Sequence, residues 1–391
     1  MNKGTKFFLV CVVSVLFAAV YIWYALSRST RPFQDVALPP VSIISDVSSE
    51  RETFIPERPG KSDARSQSKG RMDVLDGSVM RHGEKLALPQ DAGRVKQPLK
   101  VLVRHLGLDQ SFGFLAMDSS HRDPGGRYAT NLTCHRVHFA GGRGVCLVVE
   151  RGFFTTYKAV LFNEVFYSTF TLPLNGIPSR TRVSRDGRHA AITVFVSGHS
   201  YSEGRFATET SIVDMETGTV LVANLEEFDV IRDGELFSVL DFNFWGVTFM
   251  KDSDRFYATL STNGVFFLVE GNIASRQAYV IRAGVECPSL SPDETRIAFK
   301  KRLSTGARVG WRLSVVNLET FREMELTESR SVDDQVEWLD NSRVLYGLPD
   351  KVGSATSNVW VVSADGTGAP EMFLEDAVSP AVVREGDMPL S

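Results

Sequence analysis

The strongest constraint on this chain is a repeat. From about residue 96 the sequence is a succession of short apolar runs divided by polar turns. The runs at 145–149, 159–162, 190–196, 265–269, 297–299, 313–316 and 359–362 are rich in β-branched and aromatic residues. They are strand-length, and none carries a sustained 3.6-residue stripe, so the domain reads as all-β. Three segments share one plan: Arg182 to Ile192, Pro288 to Phe299 and Val336 to Tyr346 each run strand, tight Asp-led turn, strand. Asp-Gly and Asp-Asn suit such turns because they tolerate positive φ. A third strand follows each pair, at 208–214, 311–318 and 358–363, and weaker copies occupy 137–146 and 249–257. Turn centres fall near 142, 186, 253, 293 and 340, with separations of 40 to 67 residues. A period of roughly 40–50 residues with about four short strands per unit predicts propeller blades. The single long gap predicts an insertion near 224–241.

The two ends of the repeat complete each other. The segment 376–383 reads as an innermost strand with nothing after it to finish a blade, whereas 100–104 and 113–117 read as second and third strands with no first. Joining them gives a sixth blade and a closed ring, which removes exposed sheet edges. At this point the sequence resembles a known family. Ser291-Pro292-Asp293-Glu294-Thr295-Arg296-Ile297-Ala298-Phe299, followed by Trp311-Arg312-Leu313-Ser314-Val315-Val316-Asn317-Leu318-Glu319-Thr320, is similar to the blade repeat of TolB-like six-bladed propellers. The resemblance is strong over 286–375 and weak before 180; Asp293-Glu294 and Asp340-Asn341 stand where the family has Asp-Gly, and Trp338-Leu339 where it has Trp-Ser-Pro. It implies a six-bladed fold. Its periplasmic translocation member implies a lipoprotein or a polypeptide terminus as a partner.

The N-terminal quarter reads differently. Residues 7–26 are apolar apart from Ser14 and carry no charge, with Tyr21, Trp23 and Tyr24 at one end. About 20 such residues span a bilayer as a helix, with aromatic rings at the headgroups. This predicts a signal anchor with residues 1–6 as a cytoplasmic tail; a cleaved signal peptide is the competing reading, and both put the remainder outside the cytosol. Residues 27–95 are Pro-punctuated and polar, the composition of a flexible linker. The propeller is expected over 96–385, with 386–391 as a tail. The 43 Lys and Arg against 47 Asp and Glu give a net charge of -4, so no nucleic-acid footprint is expected.

Chemistry is sparse. Cys134 and Cys146 flank a hairpin, and outside the cytosol a disulfide between them is permitted. Cys287 is left over and reads as a buried apolar residue. Strand alternation allows only Cys134 and His138 of the Cys134/His135/His138 group to converge. Gly198-His199-Ser200-Tyr201-Ser202 lacks the last glycine of a nucleophile elbow and reads as a loop between blade strands. The polar turn at 118–126 lacks the ligand spacing of a calcium loop. No metal or cofactor is expected. Propeller partners commonly bind over the central channel, where the segments entering each innermost strand converge. Those segments offer Arg180, Arg182, Asn243, Trp245, Glu286, Asp333, Asp334, Glu337 and Asp376, with the two arginines expected about three blades from the acidic Asp333-Asp334 segment. Exposed Trp and Arg with carboxylates suit a protein or peptide partner. Bonding of the carboxylates to strand ends, and packing of Trp245 between blades, is the competing structural account. The expected function is a membrane-tethered, non-catalytic binding or scaffolding component of a cell envelope. The alternative is an envelope hydrolase or metal-dependent polysaccharide lyase, which needs at least three titratable groups within about 5 Å at the channel.

Overall fold

In the computed structural model, residues 100–118, 126–196, 207–305, 308–349, 351, 354 and 356–387 are described. The expected anchor at 7–26, the linker, the elbow-like segment at 198–202 and most of the polar turn at 118–126 lie outside them. No helix among the described residues is long and apolar enough to cross a membrane.

The described chain forms six sheets around one axis, antiparallel except for one added strand in the fourth. Blade 1 runs outward from Ala377–Val383 through Lys100–His105 and Phe114–Asp118 to Arg127–Thr133. Blade 2 comprises Arg136–Ala140, Arg143–Arg151, Thr155–Asn163 and Ser168–Leu174. Blade 3 comprises Ile177–Val183, His189–Val196, Ala207–Asp214 and Val220–Val222. Blade 4 comprises Asn243–Phe249, Arg255–Thr262, Val265–Asn272 and Gln277–Ala283. Blade 5 comprises Glu286–Leu290, Arg296–Thr305, Arg308–Asn317 and Glu323–Glu325. Blade 6 comprises Glu337–Trp338, Arg343–Pro349, Ser357–Ser363 and Glu371–Leu374. Closure is as expected from the two incomplete ends: Lys100 pairs with Val383 and His105 with Ala377.

The repeated turn has a repeated chemical cause. In blade 3 the Ser184 hydroxyl donates to Asp186 at 2.7 Å, and Asp186 accepts the Arg188 amide at 3.1 Å. In blade 5 Ser291 donates to Asp293 at 2.6 Å, and Asp293 accepts the Thr295 amide at 3.1 Å. The residue after each Asp takes positive φ, 72° at Gly187 and 61° at Glu294. Glu294 tolerates this because its carboxylate accepts the Lys251 amide of blade 4 at 2.5 Å, a contact glycine could not make.

The predicted insertion is also present. A 3-10 turn at Leu225–Glu227 leads into Asp229–Arg232 and Glu235–Leu236, which extend the outer edge of blade 4 to a six-stranded sheet. Asp229–Arg232 runs parallel to Gln277–Ala283, and Phe228, Val230 and Phe242 bury against Phe244 and Phe256. The core lies between blades, where both faces of each sheet carry apolar side chains; Leu102, Leu147, Phe299 and Trp338 are among those fully enclosed.

Candidate functional site

Each innermost strand has one edge facing the channel, and its unpaired carbonyls there need donors. Side chains from other blades supply them. Gln335 donates to Val247 O at 3.1 Å and Pro288 O at 2.9 Å, tying blade 6 to blades 4 and 5. Arg182 donates to Val336 O at 3.0 Å across the ring from blade 3 to blade 6. Ser379 donates to Val137 O and accepts Val137 N, each at 3.0 Å.

These bonds form a waist with room for only about 30 Å³ beside Arg136, His138, Arg182, Gln335 and Ser379. At its centre Arg182 Nη1 is paired with Glu337 Oε2, and His138 Nε2 lies 3.4 Å from the same oxygen. The Val183 amide donates to His138 Nδ1 at 3.0 Å. Nδ1 is therefore an acceptor, and Nε2 stands between Glu337 Oε2 and Arg182 Nη1, the latter 2.9 Å away. Burial, followed by the Arg182 charge, holds the His138 pKa below its ordinary value. Burial pushes the Glu337 pKa up, but Arg182, His138 and Arg384 together outweigh it and hold it at about 2. Three titratable groups thus meet the spacing an enzyme centre requires. Both His138 nitrogens and the Glu337 carboxylate have partners within the protein.

On the side where innermost strands begin, the entry face, a second network spans the ring. Arg180 Nη2 lies 3.5 Å from Asp333 Oδ1, and Lys300 Nζ lies 2.5 Å from the same oxygen and 3.1 Å from Glu286. Trp311 Nε1 donates to Glu286 at 2.8 Å, and Lys300 stands over the Trp311 ring. Burial raises the Asp333 pKa, but Lys300 and then Arg180 outweigh it and leave it below the ordinary range. Burial pushes the Cys287 thiol up despite Lys300 and Arg180 nearby, so it is a buried thiol, as its sequence context suggested.

Of the residues expected at the channel mouth, Arg180, Glu286, Asp333 and Asp334 gather at the entry end, and Arg182 and Glu337 pair deeper. Arginines and acids sit on blades 3 and 6, three blades apart. Arg180 with Asp333 and Arg182 with Glu337 bond across the ring, whereas Asp334 and Glu286 bond to neighbouring strands of their own blades through Gly347 and Lys300. Asn243 and Trp245 do not join them. Asn243 Oδ1 accepts the Thr208 amide at 2.9 Å, buttoning blade 4 to blade 3, and buried Trp245 stacks edge-on against Phe266. Lys300, Gln335, Arg136 and Arg104 did not emerge from the sequence. A signal existed for Lys300 alone: it follows Ala298 on one face of an apolar strand, where a charge requires a partner.

Cys134 and Cys146 form a disulfide with Cα atoms 5.2 Å apart, so Cys134 cannot act with His138. His189 lies away from the waist, bonded to Ser253 O at 2.9 Å. Among the described residues no group of three or more His, Cys, Asp or Glu side chains is arranged to hold a metal ion.

Cavities flank the waist at both ends. One of about 360 Å³ on the entry face is lined by Arg104, Leu106, Phe112, His135, Arg136 and residues of blade 6. One of about 340 Å³ on the opposite, exit face is lined by first turns, including Gly141, Arg185 and Lys251, by Arg384, and at its floor by His138, Arg182 and Glu337. Solved structures give a direct comparison for this architecture. TolB from Acinetobacter baumannii superposes with a TM-score of 0.51 at 14% identity, over 73% of this chain and 67% of that one. The chain has the six-bladed propeller fold of TolB. A putative TolB from Agrobacterium tumefaciens matches at 13% identity with a TM-score of 0.44, over 72% of this chain and 91% of that one. No protein-family model matches the sequence, and no curated protein matches it significantly. At these identities the likeness to TolB shows the fold and not the activity.

Proposed function

We propose that this chain is a non-catalytic protein-binding propeller of a cell envelope, held at the membrane through residues 7–26 and presenting its entry face to a polypeptide partner. The observation that carries this reading is the committed waist. A reaction centre needs a group with a free lone pair or a transferable proton, and His138, Glu337 and Arg182 bond to one another and to the backbone. What remains open is recognition surface. Lys100, where the preceding chain joins the ring, lies on the exit face beside Val383, so the entry face is free of that attachment. The TolB-like fold supports a protein-binding role by analogy of fold.

The test is proximity labelling from residue 391 in intact cells, read by mass spectrometry, with bound metal assayed on the same preparation. A short, reproducible set of envelope proteins is the expected outcome. No enriched partner, together with metal-dependent turnover of a polysaccharide, overturns the proposal in favour of a lyase.

A further inference from the structure

The entry cavity contains charge that the protein leaves unused. Among the described residues the Arg104 side chain has neither a hydrogen bond nor an ion pair; its guanidinium stands over the Phe112 ring at 6.0 Å, and its Nε is buried without a partner. Arg136 has a buried, unbonded Nε as well, and its nearest carboxylate is Asp334 at 3.8 Å with three quarters of the arginine side chain enclosed. A buried donor without an acceptor is costly, and two side by side repel. Burial and then Arg151 push the Arg104 pKa down, and burial and then Arg180 do the same to Arg136. The acids in the same wall are already occupied, Asp333 by Lys300 at 2.5 Å and Asp334 by the Gly347 amide at 3.0 Å. The cavity therefore lacks an anion, not a cation.

We infer that the entry cavity between blades 1 and 6 binds the C-terminal carboxylate of a polypeptide partner, with Arg104 and Arg136 as its ligands. This deepens the protein-binding reading above and rests on it. A planar monoanion suits paired guanidinium groups, whereas a phosphate dianion would meet Asp333 and Asp334 at close range. A chain end is required because the cavity is blind: the waist beneath it, about 30 Å³ and crossed by Gln335 and Arg182, admits no polypeptide. An amino terminus would need an unpaired acid, and neither acid is free. Beyond the arginines the wall is apolar, with Leu106, Phe112, Pro349 and Val378. The turns joining second and third strands of blades 1 and 2 open on this same face and carry Leu108, Phe153 and Phe154 at 89%, 88% and 77% exposure. The partner thus ends in apolar residues followed by its free carboxylate.

The probe is a set of synthetic peptides with apolar C-terminal residues, each made as free acid and as amide, titrated into the full-length protein in detergent by fluorescence anisotropy. Free acids bind and amides bind about 10- to 100-fold more weakly, the range of a charged hydrogen bond. Arg104→Gln and Arg136→Gln each bring the acids down to the amides, and Arg104→Gln melts no lower than the parent, since it removes a cation that faces no acid among the described residues. Arg185→Gln, on the exit face, changes nothing. Phe153→Ser with Phe154→Ser weakens acid and amide alike. Equal binding of acid and amide, a melting-temperature loss in Arg104→Gln, or competition by inorganic phosphate better than by acetate overturns the inference. If the acids fail to bind while proximity labelling still captures partners, this inference falls and the protein-binding reading stands; failure of both removes both.

Discussion

Replacing Glu337 with Gln tests the waist most directly. The side chain is 9% exposed, as is that of Arg182, so solvent screening is slight. A carboxyl held at about 2 in place of an ordinary 4.5 corresponds to about 3 kcal/mol of folded-state stabilisation at neutral pH. The amide also leaves the Arg182 charge buried and uncompensated, which costs about 3–5 kcal/mol in comparable buried pairs. The two routes agree, and Glu337→Gln is expected to lose about 3–5 kcal/mol at pH 7. The pH dependence follows from the sign of the shift. A carboxyl whose folded pKa is depressed contributes fully above its unfolded value and loses that contribution as pH falls to its folded value. The gap between parent and variant should therefore be constant above about pH 5 and close progressively between pH 4.5 and about 2. Urea unfolding of both proteins across that range measures it. A gap below about 1 kcal/mol at pH 7, or one that does not narrow on acidification, refutes the account of Glu337 as the anion that holds blades 3 and 6 together.

Other expectations follow from single contacts. His138 is held neutral by burial and Arg182, so its depressed pKa makes stability fall as pH drops below about 6.5; His138→Gln should remove that part of the acid sensitivity in the same urea series. Reducing the Cys134–Cys146 bridge, which spans 12 residues, should cost about 3 kcal/mol on the chain-entropy account, read as a lower melting temperature in Cys134→Ala/Cys146→Ala. Gly141 has φ of 56°, and a Cβ there would meet the Asp186 carbonyl carbon and Gly187 nitrogen at 2.3 Å. Because those are backbone atoms that cannot turn aside, Gly141→Ala should loosen the junction of blades 2 and 3 and speed amide exchange there. Asn243→Ala should lose about 1–2 kcal/mol through its bonds to Thr208 without changing peptide binding.

The fold was legible because blade chemistry is local. Ser184 with Asp186 and Ser291 with Asp293 make the same turn from residues two apart, and strand alternation does the rest. Closure was legible for a related reason: 376–383 lacked successors and 100–104 lacked a predecessor, and antiparallel pairing has one way to supply both. The insertion at 224–241 was visible only as excess length. Its attachment to the outer edge of blade 4 depends on Asp229 lying beside Gln277, which no local pattern encodes.

The site was legible only in outline, and the reason is geometric. Residues that enter innermost strands do converge, so Arg180, Arg182, Asp333 and Glu337 were found together. Which of them meet depends on pairs separated by 153 and 155 residues along the chain, and on side chains that point toward a flanking blade rather than the axis. Asn243 and Trp245 have the right position and the wrong direction. Composition also misleads here, because the acidic Asp333-Asp334 segment draws the eye as the ligand-binding feature, yet both acids are satisfied by Lys300 and the Gly347 amide. Recognition is better sought where folding leaves a charge unmatched. Arg104 sits at the end of Val101-Leu102-Val103, a strand whose neighbours are buried, and the fold holds it there without an acid. A scaffold that gives Glu337, Asp333 and Glu286 each a cation has acids close to hand, so the solitary cation at Arg104 marks the place where a partner's anion completes the balance.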